Sequence, residues 1–468
     1  MASSNAVKIQ EVTQVTPFSH STTEFSLPLT LYDTFWFNFP PVERLYFYQI
    51  TDLTPHFFNS FILPDLKHSL SLTLLQYLPL AGNLIWPTDA PKPYIYYSPN
   101  DGVPVTVAES TADFNSLTGN GVHEAVEFHP LIPQLVTSDD KAAMIAIQIT
   151  LFPNQGFCIG ITSHHAILDG RSSTMFIKSW AYLCKQLGKD LEEEPSLLPE
   201  LIPSFDRTVI KDPTGIDMEY VNNWFAYTNT RSLKVLPNVV SNTDWVRATF
   251  ELTREDIQKI RNQVLLILNK DNGKEAEKQQ HQLHLSTFVL TLAYVFVCLV
   301  KARGGEDNRG IIVGFTADYR SRLDPPVPLL NYVGNCVMPH FRTAIARDFT
   351  EENGVAFLAE KLSDLIKEIE RGELEGRQDT LSRMLTLMKT MSEGVQCLGV
   401  SGSTQFDVYG SDFRWGRPRK VEIVSIDRSG AIALAKSRDK SGGVEVGVAL
   451  KKQEMEVFSS LFVDGLKD

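Results

Sequence analysis

Residues 157–170 read FCIGITSHHAILDG, an apolar run that ends on two histidines and closes on an aspartate and a glycine. Upstream, residues 144–152 alternate and are rich in β-branched side chains, and Pro153-Asn154-Gln155-Gly156 is a turn sequence, so the two runs predict a β-hairpin. Downstream, Met175, Phe176, Trp180 and Leu183 recur at helical spacing up to Gly188, which predicts a helix. His164 and His165 therefore fall in a strand-to-helix turn, where rigid elements hold loop side chains in place. A histidine there suits a general base, because its ordinary pKa lies near neutrality. The spacing of His165 and Asp169 also fits a buried structural histidine followed by a helix cap. Spacing alone does not choose between these.

Outward from this hairpin the chain alternates strands and helices, which predicts an α/β fold. Residues 8–15 suggest a strand, and residues 35–48 form an aromatic segment broken by Pro40 and Pro41. Residues 66–77 suggest a helix that stops at Pro79 and Gly82. The proline-rich, weakly periodic stretch from 189 to 245 is the candidate connection, with a helix over 218–227 inside it. It divides the chain into 1–200, a crossover at 201–245, and 246–468. The second half offers a strand at 246–251, a helix from Arg254, a polar loop at 269–282 and a strand at 311–316. The apolar run 285–300, which includes Ser286 and Thr287, is shorter than the roughly 20 residues of a membrane span and suggests a buried helix. An amphipathic helix at 355–371 precedes three tail strands at 421–426, 431–436 and 444–450 and a closing helix from Gln453. GFTADYRSRLD in this half parallels GITSHHAILDG without its histidines, which suggests two related halves with one histidine site.

The net charge of −12, with acids and bases interspersed, argues against nucleic acid or an anionic membrane as partner. Five scattered cysteines without a CxxC pair suggest reduced thiols and a cytoplasmic protein, with neither a disulfide framework nor a metal site. The first twenty residues lack the apolar core of a secretory signal. Neither GxSxG, HExxH, a Walker loop nor GxGxxG between a strand and a helix is present, so what stands out is a base without a nucleophile.

HHAILDG at 164–170, YVGNC at 332–336, DFRWG at 412–416 and LPLAGNL at 78–84, in this order, resemble the plant BAHD acyltransferases over essentially the whole chain. YVGNC and SFDRTVIKDP at 204–213 resemble the branch acting on anthocyanins and phenolic glucosides, many of whose members use malonyl-CoA. The resemblance implies two chloramphenicol-acetyltransferase-like domains of mixed sheet and helices, with the active-site channel between them. It implies acyl-CoA as co-substrate, a glycosylated phenolic acceptor, no bound metal and a monomer. The alternatives are a hydroxycinnamoyl-CoA anthocyanin acyltransferase and a silent relative that binds acyl-CoA or phenolics.

By the same resemblance His165 is the base and Asp169 a brace that pairs with an arginine, for which Arg320 is the candidate. Asp412 and Trp415 of DFRWG join the catalytic set, the Trp415 indole as a donor to the oxyanion. Arg414, Ser286 and Thr287 are candidates for CoA, and Arg171 and Arg207 for the substrate carboxylate. Arg414 stands where the family motif DFGWG has its first glycine, which suggests that no glycine-only backbone angle is required there.

Overall fold

The computed structural model describes residues 7–18, 23–189, 195–236, 244–272, 283–323, 331–372, 378–390 and 394–467. Parts of the 189–245 connection and residues 273–282 of the polar loop lie outside them.

A six-stranded sheet carries the hairpin. Its order is Val7–Val15, Val103–Ser110, Ile145–Phe152, Gly156–Ser163, Val42–Gln49 and Lys420–Ile423. The motif strand, Gly156–Ser163, is flanked on both edges, with Phe157 opposite Leu151 on one neighbour and Tyr48 on the other. Every residue of both hairpin strands is buried, so they read as nearly continuous apolar runs. Phe157, Ile159 and Ile161 face the main core, whereas Cys158 points to a second cluster with Leu45 and Phe47. The turn holds Asn154 at φ 64° and Gly156 at φ 151°, and a Cβ at Gly156 would meet the Tyr48 carbonyl oxygen at 2.2 Å.

The motif helix, Gly170–Leu187, buries Met175, Phe176, Trp180 and Leu183 as its spacing predicts. The Trp180 indole donates to the Leu66 carbonyl at 3.1 Å, locking this helix against Leu63–Gln76. That second helix stops at Gln76, as its spacing predicts, with Tyr77 as its C-cap. Pro79 sits inside a separate helical turn, Leu78–Ala81, where its missing N–H costs nothing, and Gly82 closes that turn.

The later part of the chain builds a five-stranded sheet, in the order Val400–Gly402, Ile432–Lys436, Val444–Lys451, Trp245–Leu252 and His123–Glu124. A three-stranded sheet orders Val337–Ile345, Gly310–Asp318 and Gln396–Leu398. Strands are exchanged between halves: Lys420–Ile423 joins the first sheet and His123–Glu124 the second. The expected tail strand at 421–426 therefore separates from its two successors, and it ends early because Ile426–Ser429 turns helical. The helix Thr287–Arg303 is buried almost all round, and Ile216–Thr228 is fixed by the Trp224 indole on the Phe35 carbonyl at 3.1 Å. Among the described residues no helix is long and apolar enough to cross a membrane.

Candidate active site

His165 leaves the end of the motif strand half-buried. Its ring stacks on Trp36, with centroids 4.5 Å apart and planes 12° apart, and Phe39 closes a second side at 6.3 Å. Trp36 is itself anchored by its indole on the Val337 carbonyl at 3.2 Å. The apolar surroundings disfavour imidazolium and push the His165 pKa down to about 4, against a smaller upward pull from its own carbonyl and from Asp169. The ring is thus neutral at pH 7. Its Nδ1 is buried without another hydrogen-bond partner among the described residues, so the exposed side of the ring is the Nε2 side.

His164 does something else. It is fully buried, its Nδ1 accepts the Ala166 N–H at 3.2 Å, and burial lowers its pKa to about 3. It shapes the turn as a neutral ring.

Asp169 turns away from His165. One oxygen caps the motif helix through the Ser172 N–H at 2.9 Å; the other accepts the Cys336 N–H at 3.2 Å and the Arg320 guanidinium at 2.7 Å. Burial opposes its ionisation, yet Arg320 and Ser172 hold its pKa below the ordinary carboxylate range. The helix cap and the ion pair are therefore two duties of one carboxylate. Arg320 also donates to the Gly334 carbonyl at 3.0 Å and to the Ser172 hydroxyl at 3.2 Å. YVGNC is tied in from the other side: the Asn335 amide donates to the His165 carbonyl at 2.8 Å and to buried Asp33 at 3.1 Å. Two turns of the second half, ADYRSR and YVGNC, thus clamp the histidine loop of the first.

DFRWG is elsewhere. Trp415 packs edge-on against Phe157 at 6.2 Å, at the start of the motif strand, whereas His165 follows its end. Six residues at roughly 3.3 Å each separate Phe157 from Ser163 by about 20 Å. Asp412 accepts Lys185 at 2.5 Å, in the last turn of the motif helix, and the N–H groups of Arg414 and Gly416 at 2.9 and 3.0 Å. Asp412 and Trp415, expected in the catalytic set, build a turn at the far end of the strand and helix. Arg414, the candidate for CoA, faces helix Leu63–Gln76, 2.9 Å from Asp65. It adopts φ 84°, so the glycine-type backbone angle is needed after all and the arginine bears it.

Arg207, a candidate for the substrate carboxylate, is buried 3.6 Å from Asp33 and donates to the Val333 carbonyl at 2.6 Å, beneath the YVGNC turn. Arg171 is exposed beside Asp318 at 3.4 Å. Ser286 caps the helix Thr287–Arg303 through the Val289 N–H at 3.3 Å, and Phe288 reaches Phe315 at 5.4 Å, near the end of the strand that leads to Arg320. Trp36, Asp33, Asn335 and Ser172 were not singled out from sequence. Phe35 to Phe39 stood out only as an aromatic run, and nothing local tied it to His165.

Strand sheets shared between two halves, with one neutral histidine braced where their turns meet, define an acyltransferase of the two-part chloramphenicol-acetyltransferase type. The sequence profile of the Transferase family matches residues 5–464. Among curated relatives, phenolic glucoside malonyltransferase 1 of Arabidopsis thaliana is 44% identical over 99% of this chain and 98% of its own. Malonyl-CoA:anthocyanidin 5-O-glucoside-6''-O-malonyltransferase of the same plant is 44% identical over 99% of both chains. The crystal structure of vinorine synthase aligns with a TM-score of 0.67 at 19% identity, covering 97% of this chain and 98% of that one. The chain belongs to the BAHD acyltransferase family and is an acyl-CoA-dependent enzyme.

Proposed function

We propose that the enzyme transfers a malonyl group from malonyl-CoA to a sugar hydroxyl of a phenolic or anthocyanin glucoside, with His165 as general base. The observation that carries this is the single neutral imidazole presented on its Nε2 side, in a chain 44% identical to two malonyltransferases of glucosides. His165 Nε2 takes the proton of the acceptor hydroxyl while that oxygen attacks the thioester carbonyl. The tetrahedral intermediate collapses, the C–S bond breaks, and the imidazolium returns its proton to the departing thiolate. Base catalysis of this kind contributes about 10² to 10⁴ in rate. Asp169 and Arg320 hold the loop, and Ser286 and Thr287 at a helix start offer N–H and hydroxyl groups to a CoA phosphate.

The departure at Arg414 gives no support to a catalytically silent relative, because its turn packs on Phe157 at the start of the motif strand, whereas His165 follows the end of that strand. The division near 201–245, a cytoplasmic address and a monomer belong to the same proposal, supported for the address by five free cysteines. The test is incubation with malonyl-, acetyl- and coumaroyl-CoA against a panel of phenolic glucosides, with His165→Ala as control. Products heavier by one malonyl group, absent with His165→Ala, support the reading. Coumaroyl products alone, or undiminished turnover by His165→Ala, overturn it.

A further inference from the structure

Arg44, Arg207, Arg247 and Arg320 are the buried arginines among the described residues. Three have carboxylate partners: Arg207 has Asp33, Arg247 has Glu422 and Asp427, and Arg320 has Asp169. Arg44 has none among the described residues. It is 5% exposed, its Nε has no hydrogen-bond partner, and its one polar contact is the Thr174 hydroxyl at 3.5 Å. A guanidinium buried without a counter-charge is costly, so its position calls for an anion.

Arg44 lines a small cleft whose other walls include Phe406, Val421, Glu422, Ala433 and Glu445. The cleft runs between the edge of the six-stranded sheet and the five-stranded one. It adjoins the histidine loop. Phe406 lies so close over Gly170 that a Cβ there would meet its ring at 2.5 Å, and Thr174 bonds the Gly170 carbonyl at 2.7 Å. Arg44 also stands opposite Ile161, and the four residues from there to His165 span at most about 13 Å. The Arg44 side chain and a bound acyl group together share that span. The two acids on the cleft are engaged elsewhere: Glu422 with Arg247 at 2.7 Å, and Glu445 with the Tyr409 hydroxyl at 2.6 Å.

We propose that Arg44 receives the free carboxylate of the acyl donor and thereby selects malonyl over neutral acyl groups. This rests on the acyl transfer at His165 argued above. Its planar fork suits a carboxylate, which a short dicarboxylic acyl group carries at its far end and an acetyl or coumaroyl group lacks.

The test compares kcat/KM for malonyl-CoA and acetyl-CoA, with one glucoside acceptor, in wild type, Arg44→Gln and Arg44→Lys, with thermal midpoints recorded. Loss of a charge-assisted hydrogen bond corresponds to about 10- to 100-fold, so Arg44→Gln should lower malonyl transfer by that factor. Acetyl transfer should stay within about threefold, and Arg44→Lys, which keeps charge but loses the fork, should fall between. A damaged fold would depress both donors alike. If wild type prefers malonyl and Arg44→Gln keeps the malonyl-to-acetyl ratio, the assignment fails alone. A wild type that turns over no malonyl-CoA overturns the malonyl reading and this assignment with it.

Discussion

Asp169→Asn probes the brace most directly. The carboxylate is 1% exposed at its side chain and makes three contacts: the Ser172 N–H, the Cys336 N–H and Arg320. Asparagine keeps one acceptor for the helix cap but puts an NH2 where the second oxygen met two donors. Arg320, also buried, would keep as carboxylate partner among the described residues only Asp318 at 3.2 Å, whose side chain is 36% exposed. Breaking a buried pair from one side costs about 3–5 kcal/mol. Unfolding entropy of about 2.1 cal/mol/K per residue over 468 residues is about 1 kcal/mol/K, so the midpoint should fall by about 3–5 °C if the chain unfolds cooperatively. Differential scanning calorimetry measures this, alongside kcat. Adding Arg320→Met should cost less than the sum of the two single changes, since the stranded cation is gone; a coupling of about 0.5–3 kcal/mol is expected. Activity should fall together with stability. A variant as stable as wild type but inactive would refute the brace and make Asp169 a partner in the chemistry.

Trp415→Phe should leave kcat within about threefold, since removal of a true oxyanion donor costs about 10² to 10³; a hundredfold loss with an intact fold would restore its catalytic role. At position 414, glycine should be more stable than alanine by about 1 kcal/mol in urea unfolding, because both lose the Asp65 contact but only alanine keeps the φ 84° strain. Equal stability would dismiss the strain. His164 has a folded pKa lowered to about 3 from an ordinary 6.5, so its contribution is complete above pH 6.5 and is lost as pH falls towards 3. That loss has a slope of about 1.4 kcal/mol per pH unit, and His164→Gln should flatten the stability profile between pH 6.5 and 4. An unchanged slope would refute a buried neutral ring.

The hairpin and the motif helix were legible because each repeats a local period, two for the strands and 3.6 for the helix. The stack of Trp36 on His165 was not, since it joins a helix near the start of the chain to a loop far along it. The exchange of Lys420–Ile423 into the first sheet is hidden for the same reason: edge pairing depends on partners that no local pattern names. At 414 the ordinary signal for a positive φ, a glycine, is missing, so residue identity pointed the wrong way. DFRWG shows that motif order along a chain carries no distance; sequence put it with the histidine, and the fold puts it beyond the other end of the strand. Arg44 passed as one charge in an aromatic strand because burial without a counter-ion is a property of the fold alone.

The brace and the base also explain one another. A pKa of about 4 keeps His165 ready to accept a proton at pH 7 but makes imidazolium costly while the site is empty. An aspartate turned onto the ring would relieve that cost and leave the base partly protonated before substrate arrives. Asp169 instead spends its charge on Arg320, so the counter-charge for imidazolium must come from the substrate, as the thioester oxygen becomes an oxyanion. The cation then forms as half of an ion pair within one step. Placing the carboxylate on the arginine thus couples proton uptake to carbonyl attack, and it predicts that kcat/KM falls with acid only as pH approaches about 4.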